Sequence, residues 1–135
     1  MDGQSLFHLA PEFSVCYEPE LPAIVMVWRG YHVSSAFRAQ NESVLASLAA
    51  HRASKMVCDI RHFLLIGADD QAWLNGDWLP RAMDAGLRFA AIVTPLYFFN
   101  RVAVGEVVQR LDSKRLRVEY FEDQAPARDW LRVVT

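Results

Sequence analysis

One short run of residues decides the fold: Ala23-Ile24-Val25-Met26-Val27-Trp28-Arg29. The first six positions of this run are all apolar. A strand with one face in water alternates apolar and polar residues, whereas a strand covered on both faces is apolar throughout. The run therefore predicts an inner strand of a mostly parallel sheet that carries helices on both faces.

Strands and helices alternate on either side of this run. The predicted strands are 13–17, 23–29, 55–60, 89–93 and 116–121. The predicted helices are 34–52, 70–85, 101–112 and one after Asp123. Because Pro80 lies inside the second, that stretch is expected to form either two short helices or one helix with a kink near Gly76-Asp77. The order β-β-α-β-α-β-α-β-α predicts a single α/β domain over 13–135, with a five-stranded mixed, mostly parallel sheet and about four helices. Residues 1–12 are expected to form an irregular N-terminal segment.

Polar residues and one glycine are predicted to mark the helix ends. Short polar side chains that precede an apolar periodic stretch are typical N-caps, and glycine is the usual residue just after a helix. The predicted N-caps are Ser34 or Ser35, Asp69 or Asp70, Asn100 and Asp123, and the predicted C-terminal glycine is Gly86.

Composition narrows the class of protein. The chain has 135 residues, a mass of 15.4 kDa, 53% hydrophobic residues and a net charge of −2. This high apolar content excludes a disordered chain. Nucleic-acid-binding domains usually carry an excess of basic residues, and a chain without one is not expected to bind nucleic acid. The longest apolar run is far shorter than the ~20 residues of a membrane span, and the N-terminus lacks a signal-peptide pattern. Cys16 and Cys58 make no disulfide framework. We therefore expect a cytoplasmic protein with free thiols.

Polar residues gather where the predicted parallel strands end. Ligands of open parallel sheets bind outside the carboxyl ends of the strands. The candidate ligand-binding residues there are Asp59, Arg61, His62, Thr94, Tyr97 and Arg101. Asp59 with Arg61 or Arg101 could form a pair that reads an anion or a hydroxyl group. The alternative is that Asp59 ties down the adjacent loop through backbone N–H groups.

Large apolar residues lie in or beside the predicted loops. Exposed apolar patches usually mark interfaces, and a symmetric homodimer is the commonest result. The candidate interaction surface consists of Leu64, Leu65, Trp73, Trp78, Phe98 and Phe99, within the stretches 63–66, 73–78 and 96–99. The alternative is that these loops fold back over the end of the sheet and close the core.

Several stretches of the sequence carry a family resemblance. They are Lys55-Met56-Val57-Cys58-Asp59-Ile60-Arg61, Asp70-Gln71-Ala72-Trp73-Leu74, Trp78-Leu79-Pro80-Arg81-Ala82, Ala85-Gly86-Leu87-Arg88, Tyr120-Phe121-Glu122-Asp123 and Ala127-Arg128-Asp129-Trp130-Leu131. With the element order, these resemble the SpoIIAA-like superfamily, home of the STAS domain (sulphate transporter and anti-sigma factor antagonist), and in particular small stand-alone bacterial STAS-like proteins. The resemblance covers residues 13–132 and implies a STAS-like fold and a regulatory role.

One departure from the resembled pattern matters for regulation. Regulatory STAS domains carry a phosphorylatable Ser in an Asp-Ser turn after the strand that corresponds to 55–60. Here the nearby stretch, Ile66-Gly67-Ala68-Asp69-Asp70, has no Ser or Thr. A phosphate adds nearly two negative charges and three acceptor oxygens, which Asp69 and Asp70 imitate only in part. We expect no kinase-driven switch at this turn.

The residues favour binding over catalysis. The chain has no Gly-x-Ser-x-Gly elbow and no Gly-rich phosphate loop, and no acid–base pair stands out. Asp59, His62, Asp69 and Asp70 match no metal-ligand spacing, so neither metal nor cofactor is expected. The leading hypothesis is a non-enzymatic homodimeric interaction domain, which could also bind another regulatory protein. The alternative is a small-molecule binding protein that uses the carboxyl ends of the strands, for which related STAS and lipid-transfer domains suggest a nucleotide or an acyl chain.

Overall fold

The protein forms one five-stranded sheet with the strand order β1-β2-β3-β4-β5. The computed structural model describes residues 10–135. The strands are β1 (Glu12–Glu18), β2 (Ala23–Gly30), β3 (Lys55–Phe63), β4 (Phe89–Val93) and β5 (Arg117–Phe121). β1 is antiparallel to β2, and every other neighbouring pair is parallel. The predicted mixed, mostly parallel sheet is confirmed. Most of the predicted irregular segment, residues 1–9, lies outside the described residues.

The helices follow the predicted order. They are α1 (Ser34–His51), α2 (Ala68–Trp73), α3 (Leu79–Asp84), α4 (Phe98–Gln109) and α5 (Gln124–Val133). A π-helical turn, Leu74–Trp78, joins α2 to α3, so residues 68–84 form one broken helix, with Pro80 just after the break. With this stretch taken as one helix, four helices alternate with the strands. No helix between residues 10 and 135 is long and apolar enough to cross a membrane.

Each face of the sheet buries its own apolar cluster. One face packs against α1 to α4, where Trp28 stacks on Phe63 with the ring centroids 5.1 Å apart, and Phe37 lies 5.3 Å from Trp28. The other face packs against α5 through residues such as Val57 and Leu131. Both clusters include residues of β2, which explains the uniformly apolar run at 23–28.

The boundaries that the sequence missed lie at the carboxyl ends of the strands. β3 continues to Phe63 rather than ending at 60, because its last residues pair with Arg29 and Gly30 after a register shift at Trp28, where β3 has one extra residue. α4 begins at Phe98, three residues earlier than predicted, so Asn100 lies inside its first turn. The first change makes residues 61–63 part of a strand, the second makes residues 98–100 part of a helix, and both shape the surface described below.

Most predicted N-caps were wrong. Val33, Gly67 and Tyr97 occupy the N-cap positions of α1, α2 and α4, and no side chain caps these helices. Asp123 does occupy the N-cap of α5, although its side chain makes no capping hydrogen bond. Gly86, with a φ of +117°, ends the second helix as predicted.

Candidate functional site

The carboxyl ends of β3, β4 and β5 bring the candidate polar residues to one edge of the sheet. Asp59 is the most buried of them, with 4% of its surface exposed. Its Oδ2 accepts hydrogen bonds from Arg61 Nη2 at 3.0 Å and from Gln124 Nε2 at 2.7 Å. Its Oδ1 accepts from Nε and from the backbone N–H of Arg61. Asp59 therefore ties the end of β3 to the start of α5.

The electrostatics of this pair follow from its contacts. Burial opposes ionisation of the Asp59 carboxyl, but hydrogen bonds from Arg61 and Gln124 outweigh it and hold the pKa of Asp59 below its ordinary value. Arg61 also donates to Asp123 Oδ1 at 3.3 Å. Of the two predicted partners of Asp59, Arg61 is the one that pairs with it, and the two side chains are hydrogen-bonded to each other. Gln124, which the sequence reasoning missed, follows directly after Asp123 at the end of β5.

The remaining candidate residues have different surroundings from Asp59, although Thr94 directly follows Val93, which pairs with Asp59 in the sheet. His62 and Tyr97 meet in an open pocket of about 110 Å³, beside Glu12 and Arg29. The hydroxyl of Thr94 already has a partner within the sheet, because it donates a hydrogen bond to the carbonyl oxygen of Phe121 at 3.2 Å. Arg101 is exposed on the first turn of α4. The structure therefore divides the predicted ligand-binding set rather than gathering it around one cavity.

Two of the predicted surface residues are buried, and two are half-buried. Trp78 is 2% exposed, and its Nε1 donates to the carbonyl oxygen of Asn41 at 2.7 Å. Leu64 is 5% exposed, because its backbone N–H donates a hydrogen bond to the carbonyl oxygen of Gly30 and so holds the chain against the sheet. Leu65 and Trp73 are partly buried, with Trp73 edge-on to Phe37. For Leu64 and Trp78 the surface prediction was wrong, and here the alternative of loops that close the core is correct.

Phe98 and Phe99 are exposed as the surface hypothesis requires. Their exposed fractions are 63% and 74%, and Leu96 and Val102 beside them are 61% and 46% exposed. We call these four residues the α4 patch. Val102 was missed by the sequence reasoning, although it lies one helical turn after Phe98, a spacing that places both on one side of a helix.

Gly105 extends the outer side of α4 beyond the α4 patch. It lies seven residues after Phe98 and three after Val102, so it shares their side of the helix. A Cβ atom added at Gly105 would meet nothing within 4 Å. The same side of α4 therefore carries large apolar side chains at its N-terminal end and an open, flat position further along.

The turn before α2 carries two carboxylates, and the carboxylate of Asp70 already accepts hydrogen bonds from α1. Asp70 is buried, and its Oδ1 accepts hydrogen bonds from Ser34 Oγ at 2.7 Å and from Arg38 Nε at 2.9 Å. Both partners belong to α1. Asp70 thus joins two helices, whereas Asp69 is exposed. Among residues 10–135, no three His, Cys, Asp or Glu side chains are close enough to hold a metal ion.

The comparison with solved structures identifies the fold. A crystal structure of an anti-sigma factor antagonist from Mycobacterium paratuberculosis resembles this chain with a TM-score of 0.59. The likeness covers 91% of this chain and 95% of that chain, at 11% sequence identity. The chain has a STAS-like fold. No protein-family model and no curated protein sequence matches it.

Proposed function

We propose that this STAS-like chain is a protein-interaction domain and not an enzyme, and that it acts as a homodimer joined through the outer side of α4. The observation that carries the proposal is the α4 patch. Four neighbouring apolar side chains are each 46–74% exposed there, two of them phenylalanines. Isolated exposed apolar residues are ordinary, but a contiguous group of this kind marks an interface.

The shape of α4 favours a second copy as the partner. A two-fold axis through the contact point of Val102 would run the two α4 helices antiparallel. This register sets positions 98 and 99 of one copy against 106 and 105 of the other, so the aromatic end of α4 would lie over Gly105, where an added Cβ would meet nothing within 4 Å. Each copy supplies both the aromatic side chains and the open glycine position that the other copy contacts, as a two-fold interface requires.

Charge does not oppose this association. The net charge of the chain is only −2, so two copies repel each other weakly at physiological ionic strength. The interface centre would be apolar, and Arg101 would lie at its rim. This arrangement of an apolar centre and a polar rim is typical of protein–protein interfaces.

We infer that the interaction is not switched by phosphorylation at the turn before α2. The stretch 66–70 has no Ser or Thr hydroxyl to accept a phosphate. The carboxylate of Asp70, which imitates a phosphate only in part, is buried against Ser34 and Arg38 of α1. A signal that acts on this protein would have to act elsewhere.

A second candidate function is small-molecule binding at the carboxyl ends of the strands. The pocket beside His62 and Tyr97 supports it, because Arg29 and Glu12 add both signs of charge. Its volume of about 110 Å³ is well below the roughly 300 Å³ of the smallest typical ligand sites. The pocket suits a group of a few atoms, such as a carboxylate, better than a nucleotide.

Sedimentation velocity tests the proposed dimer. We expect the wild-type protein to sediment at twice the chain mass of 15.4 kDa, and the double variant Phe98→Ser, Phe99→Ser to sediment as a folded monomer. Val133→Ser is the matched control, since Val133 is 75% exposed on α5, away from α4. A monomeric wild type, or a dimer that survives the double variant, would refute the proposal.

A further inference from the structure

A cavity of about 90 Å³ lies inside the domain, between the sheet and α1 to α4. The sheet contributes Met26, Ile60 and Ile92 to its lining, and the helices contribute Leu74 and Val107. Protein interiors are packed about as densely as organic crystals, and voids larger than a water molecule are few. A void of this size inside a small domain therefore calls for an explanation.

The lining offers almost nothing to a water molecule. Asn41 uses its Nδ2 to donate to the carbonyl oxygen of Phe37 at 2.9 Å. Trp78 uses its Nε1 to donate to the carbonyl oxygen of Asn41. Cys58 presents a neutral thiol, since burial raises its pKa to about 12. A buried water needs two to four polar partners, so we infer that no ordered water occupies this cavity.

The residues that line the cavity are least buried between α4 and β5. Most residues around the cavity are buried, but Val108 on α4, Leu111 just after α4, Val118 on β5 and Cys58 on β3 are partly exposed. β5 is an edge strand of the sheet. An apolar group could therefore enter between the C-terminal half of α4 and this edge without passing a charged side chain of the lining.

We propose that this cavity is a binding site for a short apolar group, namely the alkyl end of a small amphiphile that enters between α4 and β5. A dry apolar cavity of about 150 Å³ is known to bind benzene or xenon. The present cavity is about three fifths as large, which sets the occupant at roughly three or four carbon atoms. The polar head of the ligand stays in water at the mouth. This site does not rest on the proposed dimer, because the α4 patch lies on the opposite side of α4.

Methyl NMR of the full chain, with 1-butanol as the probe, tests this site. We expect saturable shifts of the Ile92 and Val107 methyl signals, while the Val57 and Leu131 methyls on the other face of the sheet stay in place. Ala90 lines the cavity from β4. Ala90→Val and Ala90→Leu should fill it and weaken 1-butanol binding at least tenfold. Ala46→Leu adds the same side chain at an exposed position of α1 and should bind like the wild type.

Three results would overturn the proposal. They are the absence of saturable shifts at the lining methyls, shifts confined to Val102 of the α4 patch, and undiminished binding in the Ala90 variants. Ala90→Val adds only two carbon atoms, so it decides the outcome if Ala90→Leu does not fold. The dimer measurement is independent of all three, and its failure would leave this site standing.

Discussion

Asn100 Nδ2 donates a hydrogen bond to the carbonyl oxygen of Phe63 at 3.0 Å, across 37 positions of sequence. The same fully buried side chain accepts from the backbone N–H of Ile66 at 3.0 Å. One amide therefore gives hydrogen-bond partners to two backbone groups, one at the last residue of β3 and one just after that strand. This clamp holds residues 64–66 against the core and fixes the first turn of α4, which carries Phe98 and Phe99 of the α4 patch.

Removing the Asn100 clamp should destabilise the fold. Asn100→Ala leaves two buried backbone groups without partners, at about 1–3 kcal/mol each. We expect the free energy of unfolding to fall by about 3 kcal/mol in urea denaturation, on the same principle. Gln109→Ala on the exposed end of α4 is the control and should change stability little. A loss below about 0.5 kcal/mol for Asn100→Ala, the scatter of ordinary surface substitutions, would show that the clamp is unimportant.

The Asp59 carboxylate should make stability depend on acid. Its pKa is lower in the folded chain than the ordinary value of 3.8, so its contribution is present above about pH 4 and is lost as the pH falls through the folded pKa. Asp59→Asn should cost about 1–3 kcal/mol at pH 7. The difference from the wild type should shrink below about pH 4. A difference that stays constant with pH in chemical denaturation would contradict this account.

The two thiols should differ in reactivity. Cys16 is exposed on the edge strand β1, whereas burial raises the pKa of Cys58 to about 12 and keeps its thiol protonated at pH 8. A thiol reagent should therefore label Cys16 rapidly in the native protein and Cys58 only after denaturation. The variant Cys16→Ser should resist labelling until it is unfolded. Equal labelling rates for both thiols in the native state would be the contrary result.

A substitution at Gly105 should weaken the dimer without lowering the stability of the monomer. Nothing lies within 4 Å of an added Cβ, and glycine is about 1 kcal/mol worse than alanine inside a helix. Gly105→Leu should therefore leave the monomer at least as stable in urea denaturation, yet weaken the dimer at least tenfold in a sedimentation dilution series. A dimer of unchanged affinity would show that Gly105 is not at the interface.

The sequence predicted the architecture well because the strands are apolar and locally distinct. Residues 89–93 were predicted as a strand and form β4 with the same bounds. The errors at 61–63 and 98–100 have a common cause. Both segments are fixed by distant partners: β3 is extended by pairing with Arg29 and Gly30, and Asn100 bonds Phe63. Local periodicity does not contain such contacts.

The candidate site was harder to predict than the fold. Asp59 was predicted to pair with Arg61 or Arg101, and the structure pairs it with Arg61, while Gln124 completes their network from the far end of the chain. Trp78 carries a large apolar ring like those of Phe98 and Phe99, and its hydrogen bond to Asn41 places it in the core. Whether such a residue is exposed depends on which helices pack together.

Disulfide cross-linking at Val102 tests the central claim most directly. A two-fold axis at this position brings Val102 of both copies together, so Val102→Cys in a Cys16→Ser background should form a covalent dimer within disulfide reach under mild oxidation. Ala72→Cys in the same background, exposed on α2, is the control and should stay monomeric on a non-reducing gel. Cross-linking of Val102→Cys no faster than the control would contradict the antiparallel pairing of α4.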